Sequence, residues 1–360
     1  MVTISNNESP LRGLRSHLQI LEDSNFIDNN IKEIKRAMAI DLLGIQPHKV
    51  SRDLSGYITY IYGAPKTGKT TLATQMGKSL LLAFEAGYNA LPGVMAQPVT
   101  TWGEMKTVYS QLKKPEVKAA YDAVIIDTID VAADRCKKYI CQQNDIEDLG
   151  DLGYGKGWTK FKDEFNDVFR GLTQLGYAVF FIGHEKEQTI QLPDGTEKVI
   201  IRPNLSNSTR ETIAGMADIY GYARQNGNDK MSSLVLRDTS GSINCGCRFK
   251  YIPHEIELSY KNLVDAITTA IDKEAAENGG QFVTEERMTV AAAPTYDHAA
   301  LMEEFQSLVG QLMAKNSNNA GKISAIVEKY LGRGKKVSET NTNQAELVHL
   351  IVTDIKNELM

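Results

Sequence analysis

Eight consecutive residues, Gly63-Ala64-Pro65-Lys66-Thr67-Gly68-Lys69-Thr70, have the types and spacing to wrap an anion, in the pattern G-x-x-x-x-G-K-[ST]. The two glycines let the backbone turn its N–H groups inward, at the positive end of the helix that follows. Lys69 would reach the β- and γ-phosphates of a bound nucleotide, the Thr70 hydroxyl would ligate Mg²⁺, and Thr71 completes the binding stretch. The chemistry is that of holding a nucleoside triphosphate, read as ATP with Mg²⁺. Such a site needs a second carboxylate to hold the metal through water. Asp127, which closes the apolar run Val124-Ile125-Ile126, is placed for it. Hydrolysis further requires a base to orient the attacking water, and Glu85, closing the apolar run 80–84, is the candidate. Each has a plainer alternative: Glu85 as an ordinary turn residue, and Asp127 or Asp130 as the cap of the next helix.

These side chains work together only if the right elements carry them. The β-branched and aromatic run 57–62 predicts a strand leading into the loop, and the residues after it, TTLATQMGKSLLL, predict a helix. Strands follow at 81–85 and 121–127, with a helix from Trp102 between them, capped by Thr100 or Thr101. A polar, glycine-rich stretch at 144–157 precedes a helix over 158–175 and a strand over 177–183. Asp194-Gly195, between alternating residues at 189–201, signals a hairpin. A helix at 208–217 and strands near 219–224, 231–237 and 247–252 end the globular part. Strands alternating with helices predict an α/β fold, a mostly parallel sheet covered on both faces, with an antiparallel extension at one edge.

The domain expectations are an N-terminal helical segment at 1–50, a core at 51–272, a linker at 273–297 and a small helical module at 298–360. In the first segment Leu18, Ile20, Leu21, Ile31, Ile34, Met38, Leu42 and Leu43 recur at near-helical spacing. In the last, Leu301, Phe305, Leu308 and Leu312 form a stripe, a helix is expected from Gln344 to Leu359, and seven basic side chains balance seven acidic ones. The turn Gly332-Arg333-Gly334-Lys335-Lys336 could meet a phosphate backbone or simply be solvated.

A net charge of −5 over 360 residues excludes a protein coated in basic charge, so any nucleic-acid site must be local. Four cysteines do not make a disulfide framework and suit a reducing cytoplasm. The spacings Cys136-x₄-Cys141 and Cys245-x-Cys247 do not match zinc-binding pairs. No signal peptide and no stretch of about 18 apolar residues is present, so the expected location is the cytoplasm, with no membrane partner.

Taken in order, YGAPKTGKTT, LLLAFEAG, VIIDTID, GYGKGW and FIGHEK resemble the RecA superfamily of P-loop ATPases, and more narrowly the short RecA-core ATPases of bacteriophages. The resemblance covers roughly residues 55–255. It implies a catalytic role for Glu85, a Walker B role for Asp127, and a γ-phosphate sensor at His184, where the superfamily commonly has Gln. A histidine with its ring bonded to backbone is the plainer reading of that position. Two DNA-facing loops are implied, near 144–160 and 185–209. Tyr154 and Trp158 would stack on bases, and Lys156, Lys160, Lys186, Lys198, Arg202 and Arg210 would meet phosphates, although Asp145, Glu147, Asp148 and Asp151 oppose this and Trp158 could instead anchor a helix. The resemblance also implies a ring or filament with nucleotide between subunits. Arg248 and Lys250, alternating on a strand, would then act in trans or form a solvated face. The implied activity is DNA-stimulated ATP hydrolysis on single-stranded DNA in phage recombination, annealing or replication, with proteins of those processes as further partners. A ring helicase or helicase loader, and a protein-directed regulatory ATPase without a nucleic-acid site, are the alternatives.

Overall fold

The computed structural model of the chain describes residues 45–227, 231–287 and 296–359. The helices expected before residue 44 lie outside the described residues. Among the described residues the core carries twelve strands: β1 (Val50–Ser51), β2 (Ile58–Gly63), β3 (Ser79–Ala83), β4 (Ala96–Pro98), β5 (Ala123–Asp127), β6 (Ala178–Gln191), β7 (Glu197–Pro203), β8 (Ile219–Arg224), β9 (Ser233–Val235), β10 (Gly246–Cys247), β11 (Glu255–Glu257) and β12 (Val283–Thr284). Its helices are α1 (Lys69–Ala73), α2 (Trp102–Leu112), α3 (Pro115–Ala120), α4 (Ile129–Asn144), α5 (Lys156–Thr173), α6 (Asn207–Met216) and α7 (Tyr260–Glu277).

The main sheet runs β11-β9-β8-β2-β6-β5-β3-β4, parallel from β8 to β4 and antiparallel at the β9–β11 edge. This is the expected α/β class. Alternation along each central strand sends side chains to two separate cores. Tyr60, Tyr62, Val124, Ile126 and Phe181 pack on one face under α2, α4 and α5, while Ile61, Ile125, Phe180 and Ile182 pack on the other with α1 and α7. Phe161, Phe165 and Phe169 recur one turn apart on α5, and the last two meet Trp102 of α2, so one helical stripe clamps two helices to the sheet. Parallel strands bring Gly63, Asp127 and the residues after Ala83 to the same, carboxyl edge of the sheet.

Several boundaries differ from expectation. The helix after the loop ends at Ala73, because Gly77 breaks it and Lys78 takes a positive φ before β3. Strand β6 does not stop near 183. It continues to Gln191 and returns as β7 through the expected Asp194-Gly195 turn. The helix α7 was not anticipated, although Leu263, Ile267, Ala270 and Ile271 fill one buried stripe behind the Ser259 cap. The supposed linker begins inside α7 and then pairs β12 with β1, where Arg287 donates to the carbonyls of Ser55, Asp122 and Gly176. Residues 296–359 belong to a second compact unit, with helices α8 (His298–Lys315), α9 (Asn319–Leu331) and α10 (Ala345–Leu359) around Leu308, Leu312, Ile326, Val348 and Ile351. Among the described residues no helix is long and apolar enough to cross a membrane.

Candidate nucleotide site

The loop between β2 and α1 is shaped by its glycines. A Cβ on Gly63 would stand 2.3 Å from the Ala223 carbonyl oxygen of β8, so only glycine lets the two strand ends approach. Gly68 takes φ +98 immediately before α1, the left-handed turn that begins the helix. Lys69 is buried and folds back over the loop. Its Nζ donates to Gly63 O (2.9 Å) and Ala64 O (2.6 Å) and lies 3.3 Å from Thr67 Oγ1. Thr67 Oγ1 donates to Ala64 O at 3.0 Å, closing the turn over Pro65 and Lys66. Burial pushes the Lys69 ammonium below the usual lysine range, against the attraction of Asp127, Glu185, Asp130 and Glu85. Thr71 lies on the wall of a cleft of about 730 Å³ beside α1, with Thr74, Met95 and Tyr121.

Thr70 Oγ1 donates to Asp127 Oδ2 at 2.7 Å, so the two candidate metal ligands are in direct contact. Asp127 is 5% exposed. Burial raises its carboxyl above the usual range, opposed by the Thr70 hydroxyl and Lys69. Both oxygens and the loop hydroxyl suit a small hard cation that also binds phosphate. Glu85 follows β3, and its backbone N–H donates to Asp127 O at 3.3 Å. Partial burial raises its carboxyl, while His184 lowers it.

His184 sits beside Gly63 in the β2–β6 register, at the mouth of the loop. Its Nδ1 lies 2.8 Å from Asp130 Oδ2, its backbone N–H donates to Asp130 Oδ1 at 3.2 Å, and its Nε2 faces Glu85 Oε2 at 3.7 Å. The Asp130 hydrogen bond raises the imidazole above its ordinary value. Lys69, Thr70, Glu85, Asp127 and His184 are therefore gathered at one edge, as expected. Local sequence reads Asp130 as a helix cap, whereas the fold partners it with His184 of β6.

Two expected cations lie elsewhere. Arg248 and Lys250 do not alternate on a strand, because β10 ends at Cys247. Arg248 donates to Gly215 O and pairs with Asp218, whose carboxylate in turn accepts from Ile58 N–H at the amino end of β2. Lys250 pairs with Glu277. Both stand by the sheet edge opposite the loop, committed to partners within the chain.

The expected DNA-facing residues fall into two groups. In the first, Gly153, Tyr154 and Gly155 all take positive φ, and Tyr154 is 102% exposed. Trp158 is 47% exposed and packs edge-on against Phe161, so it is part anchor and part surface. Gly157 is required where α5 meets Leu149 O, which a Cβ would approach to 2.1 Å. Lys156 is exposed, while Lys160 donates to Asn144. Asp148 and Asp151 are used locally, accepting from the backbone of Gly150 and of Glu147 and Asp148.

The second group lies on the β6–β7 hairpin and α6. Lys186 pairs directly with Arg202 and Ile190 with Lys198, which puts Lys186, Lys198 and Arg202 on one hairpin face. Glu185, Glu187 and Glu197 take the other. Arg202 donates to Asn207 at the start of α6, and Lys198 to Ser240 O. Burial, and after it the nearby Arg210, lowers the Arg202 guanidinium below its usual range, and Arg202 Nε and one Arg210 Nη are buried without a hydrogen-bond partner.

A family model described as an AAA domain matches residues 55–249. Over 334 residues the chain is 32% identical to the SPbeta prophage-derived uncharacterized protein YorG of Bacillus subtilis (strain 168), covering 89% of this chain and 99% of that protein. The matched span contains the phosphate loop, Glu85, Asp127 and His184, and the chain belongs to the AAA-domain family of P-loop ATPases.

Proposed function

We propose that the protein binds ATP with Mg²⁺ at the Gly63–Thr71 loop, hydrolyses it with Glu85 as the base, and couples turnover to single-stranded DNA. One observation carries the reading: the catalytic edge and the hairpin are one continuous strand. His184 closes the parallel part of β6, and the next residue begins the hairpin whose one face gathers Lys186, Lys198 and Arg202. In this reading Thr70 and Asp127 hold the metal ion, Lys69 exchanges loop carbonyls for the β- and γ-phosphates, and His184 senses the γ-phosphate. The metal supplies charge neutralisation at the phosphates. Tyr154, Lys156 and Trp158 supply further stacking and charge. Kinship with a prophage-derived protein suits work on phage DNA. Action as a homo-oligomer, and partners from replication or recombination, belong to the same proposal.

The test is ATP hydrolysis with and without single-stranded DNA, in the intact protein and in Lys69→Ala and Glu85→Gln. Stimulation of the intact protein, with both variants inactive, is expected. Hydrolysis indifferent to DNA, with no salt-dependent gel shift, would replace DNA by a protein partner.

A further inference from the structure

We infer that Asp130 is a positioning residue, holding the His184 ring so that Nε2 is presented to Glu85 at the mouth of the phosphate loop. The inference rests on the roles proposed for Glu85 and His184, and it adds a residue that local sequence would read as a helix cap.

Asp130 is the second residue of α4, in the first turn. A carboxylate there ordinarily faces its own helix's free N–H groups. Here Thr128 makes no side-chain cap, yet Asp130 leaves the helix end and reaches β6. Both of its oxygens go to His184, one to the backbone N–H at 3.2 Å and one to Nδ1 at 2.8 Å. Gripping the ring and its own peptide together removes rotation about the side chain as well as sliding of the strand. Asp130 is 7% exposed, so water competes little for its two bonds.

An Nδ1–H donating to a carboxylate sets the tautomer and leaves Nε2 as the working nitrogen. Nε2 lies 3.7 Å from Glu85 Oε2, longer than a hydrogen bond and close enough for one water to be shared between them, donating a hydrogen to each. Around the ring stand Glu85 after β3, Asp130 of α4, Asp127 at the end of β5 and Lys69 of α1. Among the described residues Asp130 makes the hydrogen bond at Nδ1, the side of the imidazole away from Glu85, and so is placed to aim Nε2.

The test has two arms. In the first, kcat and KM for ATP are measured for the intact protein, Asp130→Asn, His184→Gln and the double variant. Asp130→Asn should lower kcat about 10- to 100-fold with KM changed far less, the usual cost of losing a group that orients a functional side chain. Because Asp130 acts through His184, it should cost nothing further in the His184→Gln background. Unchanged kcat in Asp130→Asn, or a full additional loss in the double variant, would overturn the inference.

The second arm needs no variant. Nuclear magnetic resonance of isotope-labelled imidazole nitrogens in the full chain, at a pH where the ring is neutral, should find the proton on Nδ1 of His184. A proton on Nε2 would overturn the assignment even if Asp130→Asn failed to fold. The arms also separate the two proposals. If neither the intact protein nor Lys69→Ala hydrolyses ATP, the ATPase reading fails, while the tautomer still decides the Asp130–His184 pair.

Discussion

Lys69 serves two masters in this loop, and the balance between them can be measured. Its ammonium is buried, depressed by burial, and satisfied by carbonyls that belong to the loop itself. Nucleotide would have to draw it from those carbonyls toward phosphate, a near-even exchange of partners that keeps the charge solvated throughout. Replacing Lys69 by Met should therefore do two things. Nucleotide binding, followed with a fluorescent ATP analogue, should fall at least about 100-fold, from loss of a charge-assisted phosphate contact of roughly 3 kcal/mol. The free protein should also melt several degrees lower, since carbonyls of the loop lose their donor at about 1–3 kcal/mol. Weak binding with an unchanged melting temperature would mean the internal bonds are incidental. At this scale most of the candidate site was legible, because the loop, the proposed base and the proposed metal ligand are marked by residue type and local spacing. Asp130 was not, since only the register that sets Asp127 beside Ile182 brings its carboxylate to His184 two residues on. Arg248 and Lys250 misled because alternation imitates a strand, while β8 offers β10 pairing only through Cys247.

At the scale of elements, the hairpin and the glycine-rich turn before α5 carry the DNA reading, and they are held in place differently. Tyr154 touches nothing that its removal would expose, so Tyr154→Ala should leave the melting temperature unchanged and weaken single-strand binding about 5- to 100-fold, the worth of one stacked base. Trp158→Ala should lower both, because its ring also packs on Phe161. Fluorescence anisotropy with a labelled oligonucleotide, paired with thermal melts, tells them apart, and a loss of stability in Tyr154→Ala would contradict its exposure. The hairpin base depends on Asp238, which accepts from Ser240 N–H, Ser242 N–H, Ile243 N–H and the Ser240 hydroxyl. Through Ile243 this turn bridges Ile201 of β7. Burial would raise the Asp238 carboxyl, but these donors outweigh it and hold it at about 2. A folded-state value below the unfolded one means stability that is present above pH 4 and lost as pH falls toward 2. Asp238→Asn should thus cost stability at neutral pH, with the gap from the intact protein closing in acid, as read by denaturant melts across pH. A gap independent of pH would show that the turn does not depend on the charge. None of this was visible beforehand, because LRDTSGS reads as an unremarkable turn until its partner strand is known.

For the whole molecule, the question is whether 360 residues fold as one cooperative body. Residues 296–359 own a separate core of ten buried apolar side chains, Leu308, Leu312, Ile323, Ile326, Val327, Val337, Val348, Ile351, Val352 and Ile355, drawn from all three of its helices and the turn before the last. Its helical stripe was readable from spacing, since Leu301, Phe305, Leu308 and Leu312 all join that core. A unit of this size buries a smaller fraction of its surface than the core domain does, so its margin of stability is narrower. Calorimetry of the full chain should accordingly show two transitions, with the smaller one at the lower temperature. Deleting residues 296–360 should remove that smaller transition and leave the larger within about 2 °C, because β12 and Arg287, which fasten the end of the core to the amino edge of the sheet, are retained. The deleted chain should also keep basal ATP hydrolysis, since every residue placed in the nucleotide site precedes residue 190. A single transition that falls by ten degrees or more on deletion would show instead that the two units share their stability, and that the helical module is a structural part of the ATPase.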